Sequence, residues 1–237
     1  MSVITAAPHR PEIEYPESDG KPMAETDVHI QAMIDTRETL ADFFRADADI
    51  YVGANMLLYY EEGDPGASVA LDVFVVKGIP KGQRRTYKLW VEGRPPTVVL
   101  EISSRSTRLE DMGNKRALYA LLGVREYYLY DPLAEYLDPP LQGFVLGRRE
   151  YEPMEPEGDG SLVSQALGLR LQVEEERLRL MDAATGERLL RPAEVFEQAR
   201  TVEQRLAERD AEVAQLRAEL ARLRSEAPPG EARRQSS

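Results

Sequence analysis

The chain contains no cysteine, which excludes disulfides, thiol nucleophiles and every zinc site built on thiolate. Histidine is almost as scarce: His9 and His29 are the two present, and His9 lies in a proline-rich leader. Serine–histidine catalysis and multi-histidine metal cages are therefore not expected. No apolar run approaches the roughly 18 residues of a membrane span. Nor does a basic segment followed by an apolar stretch open the chain, so a secretory signal is not expected either. The 237 residues are 42% hydrophobic and 30% charged. They read as a soluble, cytoplasmic protein with one large domain or two small ones, whose chemistry rests on carboxylates, lysine, arginine and hydroxyls.

The net charge of −12 argues against nonspecific coating of nucleic acid, but it is unevenly spread. Residues 10–76 carry four basic against fifteen acidic side chains, whereas residues 77–116 carry ten basic against four acidic. A bipolar chain of this kind can hold a polyanion on one face while its overall charge keeps it soluble. A solvated basic face is the plainer reading of the same residues.

Residues 1–22 hold four prolines and little apolar periodicity, and read as an N-terminal arm. From Glu25 to Arg45, Ile30, Met33, Ile34, Leu40 and Phe44 recur at helical spacing. Strands are expected at Ile50–Val52, Met56–Tyr60, Leu71–Val76, Tyr87–Val91 and Thr97–Ser103, separated by turn-forming Gly and Pro. Thr107 and Glu110 form a capping box that starts a helix with apolar Met112, Leu118, Leu121 and Leu122, and Gly123 is placed to end it. Glu126–Tyr130, Gly143–Tyr151, Leu169–Val173 and Leu178–Met181 complete the strand candidates. The pattern predicts a mixed α/β sheet flanked by helices, with added β-hairpins, over residues 23–192.

Residues 193–224 follow a different rule. Ala199, Leu206, Val213 and Leu220 occupy heptad a, and Val195, Val202, Arg209, Leu216 and Leu223 occupy d. In a parallel pair each g residue meets the e residue five positions on, giving Arg205–Asp210, Glu212–Arg217 and Glu219–Arg224, all opposite in sign. This predicts a parallel homodimer through residues 195–224, against a lone amphipathic helix packed on its own domain. Residues 225–237 read as a disordered tail.

Two strands carry carboxylates within apolar runs. Glu101 interrupts Thr97–Ser103, where alternation puts Val99, Glu101 and Ser103 on one face and Leu100 and Ile102 on the other. Asp72 opens the run Leu71–Val76. A charge so placed needs a partner, a metal or a shifted pKa. Two carboxylates at neighbouring strand ends can hold a magnesium ion through hard oxygen ligands; salt bridges to nearby arginines are the alternative. Lys115, on the helix after the Glu101 strand, can return a cation toward them, to orient or deprotonate the attacking water and to stabilise negative charge on a phosphorane. It can equally line the solvent face with Arg116. Tyr127, Tyr128 and Tyr130 suit base stacking but more commonly pack a core. Ser103 and Ser104 suit phosphate binding or a merely polar strand end, and His29 suits the site or a structural role.

These residues also carry a resemblance. Leu71–Val76, Val99-Leu100-Glu101-Ile102-Ser103-Ser104, Ser106-Thr107, Asp111, Lys115, Tyr119 and Gly123–Tyr128 together resemble the Uma family of putative restriction endonucleases, within the PD-(D/E)XK nuclease superfamily. Tyr15-Pro16, Ser18–Lys21 and Pro22–Glu25 are similar to the same family's N-terminal section, and the likeness runs from about Tyr15 to Glu194. The resemblance implies a restriction-endonuclease-like fold and a magnesium-dependent, or manganese-dependent, nuclease acting on DNA. By position it implies catalytic Asp72, Glu101, Lys115 and Glu25, with Asp72 and Glu101 as metal ligands. It places the lysine on the helix, because Ser103 stands where the superfamily usually has it on the strand. Leu71 departs from the proline expected before Asp72, a change to strand entry rather than to a ligand. Cleavage of RNA, or of branched or single-stranded DNA, fits the same residues. So does a non-catalytic scaffold built from the nuclease fold and the coiled coil.

Overall fold

The computed structural model describes residues 13–18, 20, 26–104 and 110–226. Helix α1 (Asp27–Phe43) starts where Thr26 turns its side chain back to accept the His29 N–H, an N-cap that satisfies a donor the helix leaves open. The periodicity predicted Ile30 and Ile34 on its inner face. Both are exposed, and His29, Thr36, Thr39 and Leu40 are buried instead. The inner face is rotated because His29 and Thr39 find polar partners inward, Ile102 O and Leu190 O, while Thr36 satisfies its hydroxyl on the Ala32 carbonyl of its own helix.

Strand β1 (Ile50–Tyr59) joins two segments expected to be separate, and pairs antiparallel with β2 (Ser68–Lys77). Gly53 permits the continuation. Its strand partner Phe74 lays its ring across the glycine, so that a Cβ there would sit 2.4 Å from Phe74 Cζ. The expected strand Tyr87–Val91 is cut short: β3 (Tyr87–Lys88) gives way to one helical turn, α2 (Leu89–Glu92), ended by left-handed Gly93. Strand β4 (Val98–Ile102) follows. After a π-helical turn at Asp111–Lys115, helix α3 (Arg116–Leu122) ends at Gly123, whose φ of 83° is the left-handed cap its sequence position suggests. Thr107, half of the expected capping box, lies outside the described residues.

Strand β5 (Glu126–Tyr130) runs parallel to β4. The stretch expected as one strand over Gly143–Tyr151 is a hairpin of β6 (Leu141–Leu146) and β7 (Tyr151–Pro153). Among the described residues these make a seven-stranded mixed sheet in the order β3-β1-β2-β4-β5-β6-β7. Strands β8 (Leu162–Ser164), β9 (Leu169–Glu174) and β10 (Arg177–Asp182) make a second, three-stranded antiparallel sheet; β8 was not anticipated. One core cluster joins Leu40 of α1 and Phe44, which caps it, to the main sheet and to Leu169, Leu171 and Leu180 of the small one. The other joins the opposite face to Tyr119 of α3.

Tyr15 and Pro16, expected in an arm, are held by the sheet. Tyr59 OH donates to Pro16 O (2.6 Å), Gly63 N–H donates to Tyr15 OH (2.7 Å), and the Tyr15 ring packs on Tyr59 and Trp90. The chain divides into two compact units between Arg191 and Pro192. The second is formed by helix α4 (Pro192–Glu226). No helix among the described residues is long and apolar enough to cross a membrane.

Candidate active site

The β1–β2 ladder keeps one register, with Ala54 opposite Val73 and Met56 opposite Leu71, so Asn55 stands across from Asp72. Asn55 takes a φ of 47°, a left-handed conformation that Asn tolerates better than most residues. Both strands change faces there. Val69 and Leu71 lie in the α3-side cluster, whereas Val73 and Val75 lie in the α1-side cluster; Leu58 and Val52 divide in the same way. Asp72 therefore sits where β2 turns over, and the regular ladder to β4 ends beside it, at the pair Val73–Leu100. Continuing that register by one residue puts Asp72 across from Glu101. Instead of a backbone partner, the Ile102 N–H meets a side chain: it donates to Asp72 Oδ2 at 2.8 Å.

His29 completes this corner from α1. Its Nε2 donates to Ile102 O at 2.8 Å and lies 3.5 Å from Asp72 Oδ2. The imidazole thus fixes the strand end that carries the site and places a dipole, or a charge, beside the carboxylate. Burial pushes the Asp72 pKa up, but His29, the Lys115 charge and the Ile102 N–H outweigh it and hold Asp72 below the ordinary carboxylate value.

Glu101 is fully buried and faces α3, as the strand alternation predicts. Tyr119 OH donates to its Oε1 at 2.5 Å, and Lys115 Nζ donates to its Oε2 at 2.9 Å. Lys115 Nζ also lies 3.0 Å from Asp111 Oδ1. Asp111, Lys115 and Tyr119 are spaced by four residues, and the wider π turn over Asp111–Lys115 sets the first two toward the same point. Tyr127 OH pins that turn by donating to Asp111 O (2.9 Å). Burial, with Asp72 and Asp111 nearby, raises the Glu101 pKa to about 8 despite Lys115 and Tyr119. Burial alone would lower Lys115, but Glu101, Asp111 and Asp72 more than reverse this and hold it above the ordinary lysine value. Lys115 is accordingly an ammonium, a donor and not a base. Ser103, the next residue after β4, has a buried hydroxyl with no hydrogen-bond partner among the described residues.

The structure thus brings Asp72, Glu101 and Lys115 together and adds Asp111, Tyr119 and His29. Asp111 and Tyr119 stand in the family-like pattern of the sequence, but nothing in the linear spacing assigns them to Glu101 and Lys115. Glu25 lies outside the described residues. Tyr127, Tyr128 and Tyr130 are all buried, which settles them as core. The donor set is oxygen throughout and suits a hard divalent cation. Among the described residues no group of three or more His, Asp or Glu is arranged to hold a metal ion; Asp72 and Glu101 are hard oxygen donors of the kind a divalent cation takes when water fills the rest of its shell.

The basic stretch is largely engaged within the chain. Lys81 Nζ donates to Phe44 O and Arg45 O at the end of α1, Arg84 pairs with Glu92 at 2.8 Å, and Arg116 donates to Tyr151 O at 3.1 Å. Lys88 lies over the Tyr15 ring and Lys77 over Phe44. Arg85 pairs with Glu17 at the surface, and Arg105 and Arg108 lie outside the described residues. These engagements leave the stretch less free charge for a phosphate backbone than its composition suggests.

A profile of the Uma2 family, described as "Putative restriction endonuclease", matches residues 5–180. Among solved structures the chain is similar to a protein from Anabaena variabilis described as a putative nuclease belonging to DUF820. The identity is 14% and the TM-score 0.45, over 62% of this chain and 76% of that one. No curated protein matches the chain.

Proposed function

The chain belongs to the Uma2 family of putative restriction endonucleases, and from that membership we propose that it is a divalent-metal-dependent nuclease hydrolysing phosphodiester bonds in DNA. The observation that carries this reading is the meeting of Asp72 and Glu101, two carboxylates on adjoining strands, with the Lys115 ammonium 2.9 Å from Glu101. Asp72 and Glu101 would hold magnesium or manganese, whose contribution is to polarise a phosphoryl oxygen. The Ile102 N–H and His29 orient Asp72, and Tyr119 orients Glu101, so neither carboxylate has to be ordered when substrate arrives. Lys115 stays charged; it orients the attacking water and donates to the phosphoryl oxygens as negative charge grows on them. Water adds to phosphorus and the ester P–O bond breaks; one proton of the water ends on the leaving oxygen through solvent, leaving a phosphate monoester and a free hydroxyl.

Calorimetry with magnesium and with manganese, on the wild type and on Glu101→Ala, tests this together with cleavage of supercoiled, linear and single-stranded DNA. Binding and cleavage should be present in the wild type and absent in the variant. A wild type that binds neither ion, even with DNA present, overturns the proposal in favour of the non-catalytic scaffold. Cleavage of RNA but not DNA would overturn the substrate assignment alone.

A further inference from the structure

Helix α4 runs unbroken from Pro192 to Glu226. Pro192 sits at the first helical position, where its missing N–H costs nothing, and neither Gly nor Pro occurs after it within the helix. Its apolar residues are exposed: Val202 63%, Leu206 60%, Leu216 53% and Leu220 54%. They recur every three and four residues over about four heptads, roughly 42 Å of helix at 1.5 Å per residue. Such a seam on a helix otherwise lined with charge needs a partner whose seam has the same period.

We infer that α4 is the dimerisation element of this protein and that its partner is a second copy of the same helix, parallel and in register. The charges flanking the seam choose this partner. In the parallel self-pair Arg205 meets Asp210, Glu212 meets Arg217 and Glu219 meets Arg224, three unlike pairs on each side. In the antiparallel self-pair g meets g and e meets e, which sets like charges among unlike ones. Arg209 is the exception within the seam, at a d position between Glu208, Asp210 and Glu212. In a two-stranded coil its long side chain can reach the acidic edge and keep its charge in water. A third strand would enclose it. Arg209 thus costs stability and opposes higher assemblies, as a polar seam residue does elsewhere. Each assembly carries two copies of the carboxylate site; the pairing itself does not depend on that site being catalytic.

The absence of cysteine makes the full chain its own cross-linking background. Light scattering should return twice the monomer mass of 26.7 kDa, and Leu206→Asp with Leu220→Asp should raise the dimer dissociation constant at least a hundredfold. Under mild oxidation Leu206→Cys, at a seam position facing its own copy, should yield at least ten times more disulfide-linked dimer than Ala211→Cys on the opposite face. Near-ultraviolet circular dichroism checks that residues before Pro192 keep their fold in each variant. A monomeric wild type, or a dimer untouched by the two aspartates, overturns the inference. A dimer whose Leu206→Cys variant links no better than Ala211→Cys overturns the parallel register.

Discussion

Glu101 and Glu126 are both buried glutamates on neighbouring parallel strands, and their surroundings differ in kind. Glu126 opens β5 and is met by neutral donors: Tyr128 OH at 3.0 Å, the Ala166 N–H at 2.8 Å, and the Ser164 hydroxyl. Through Ser164 and Ala166 it ties the small sheet to the large one. Glu101 lies near the far end of β4 among Lys115, Asp111 and Asp72, with Tyr119 as its neutral donor. The first glutamate is a fastener whose partners match its lone pairs. The second sits in a group with more carboxylate than ammonium, an arrangement that a divalent cation would relieve. Burial of a carboxylate is thus not by itself a sign of chemistry; the balance of charges around it is.

The largest effect that separates the two follows from removing each. Asp72→Asn or Glu101→Gln should abolish calorimetric metal binding and lower cleavage about a thousandfold or more, with little change in the urea midpoint at about pH 5. Glu126→Ala should do the reverse. Stranding the Tyr128, Ser164 and Ala166 donors should cost about 3 kcal/mol in urea unfolding, while the folded fraction keeps its metal affinity. Metal binding lost in folded Glu126→Ala would break the contrast. Next, Tyr119→Phe removes the neutral donor that holds Glu101 and should weaken metal affinity by about tenfold to a hundredfold, measurable by the same calorimetry.

A smaller effect appears in pH. The folded state holds a proton on Glu101 up to about pH 8, whereas the unfolded chain releases it near the ordinary carboxylate value. Between these limits the native state binds more protons, so stability falls as pH rises. Metal-free wild type should lose on the order of 4 kcal/mol from pH 5 to pH 8, and Glu101→Gln should flatten that slope. An equal slope in both would place the titrating group elsewhere.

Much of the site was legible in the sequence because its residues break local patterns. Asp72 and Glu101 are charges inside apolar strands, and the period-two rule correctly set Glu101 opposite to Leu100 and Ile102. His29 could not be assigned, since helix periodicity favoured the face with Ile30 and Ile34, both of which are exposed. Strand β8 is three residues long, too short for a pattern, and its place depends on Glu126, distant in the chain. The strand expected at Tyr87–Val91 turned helical after Lys88 although its residues favour a strand, because β3 finds just Leu58 and Tyr59 as partners at the sheet edge.

By itself the sequence determined the mixed alternation of strands and helices, the candidate carboxylates and lysine, and the heptad seam of α4, all of which are properties of neighbours along the chain. The tertiary structure decided what those residues meet. Asn55 and Asp72 turn two strands over together, the Ile102 N–H finds a carboxylate in place of a ladder partner, and a π turn brings Lys115 to Glu101 with Asp111 beside the ammonium. Such contacts join residues from 14 to 30 positions apart, and no local periodicity encodes them, because burial and charge balance are settled when separate elements close on one another.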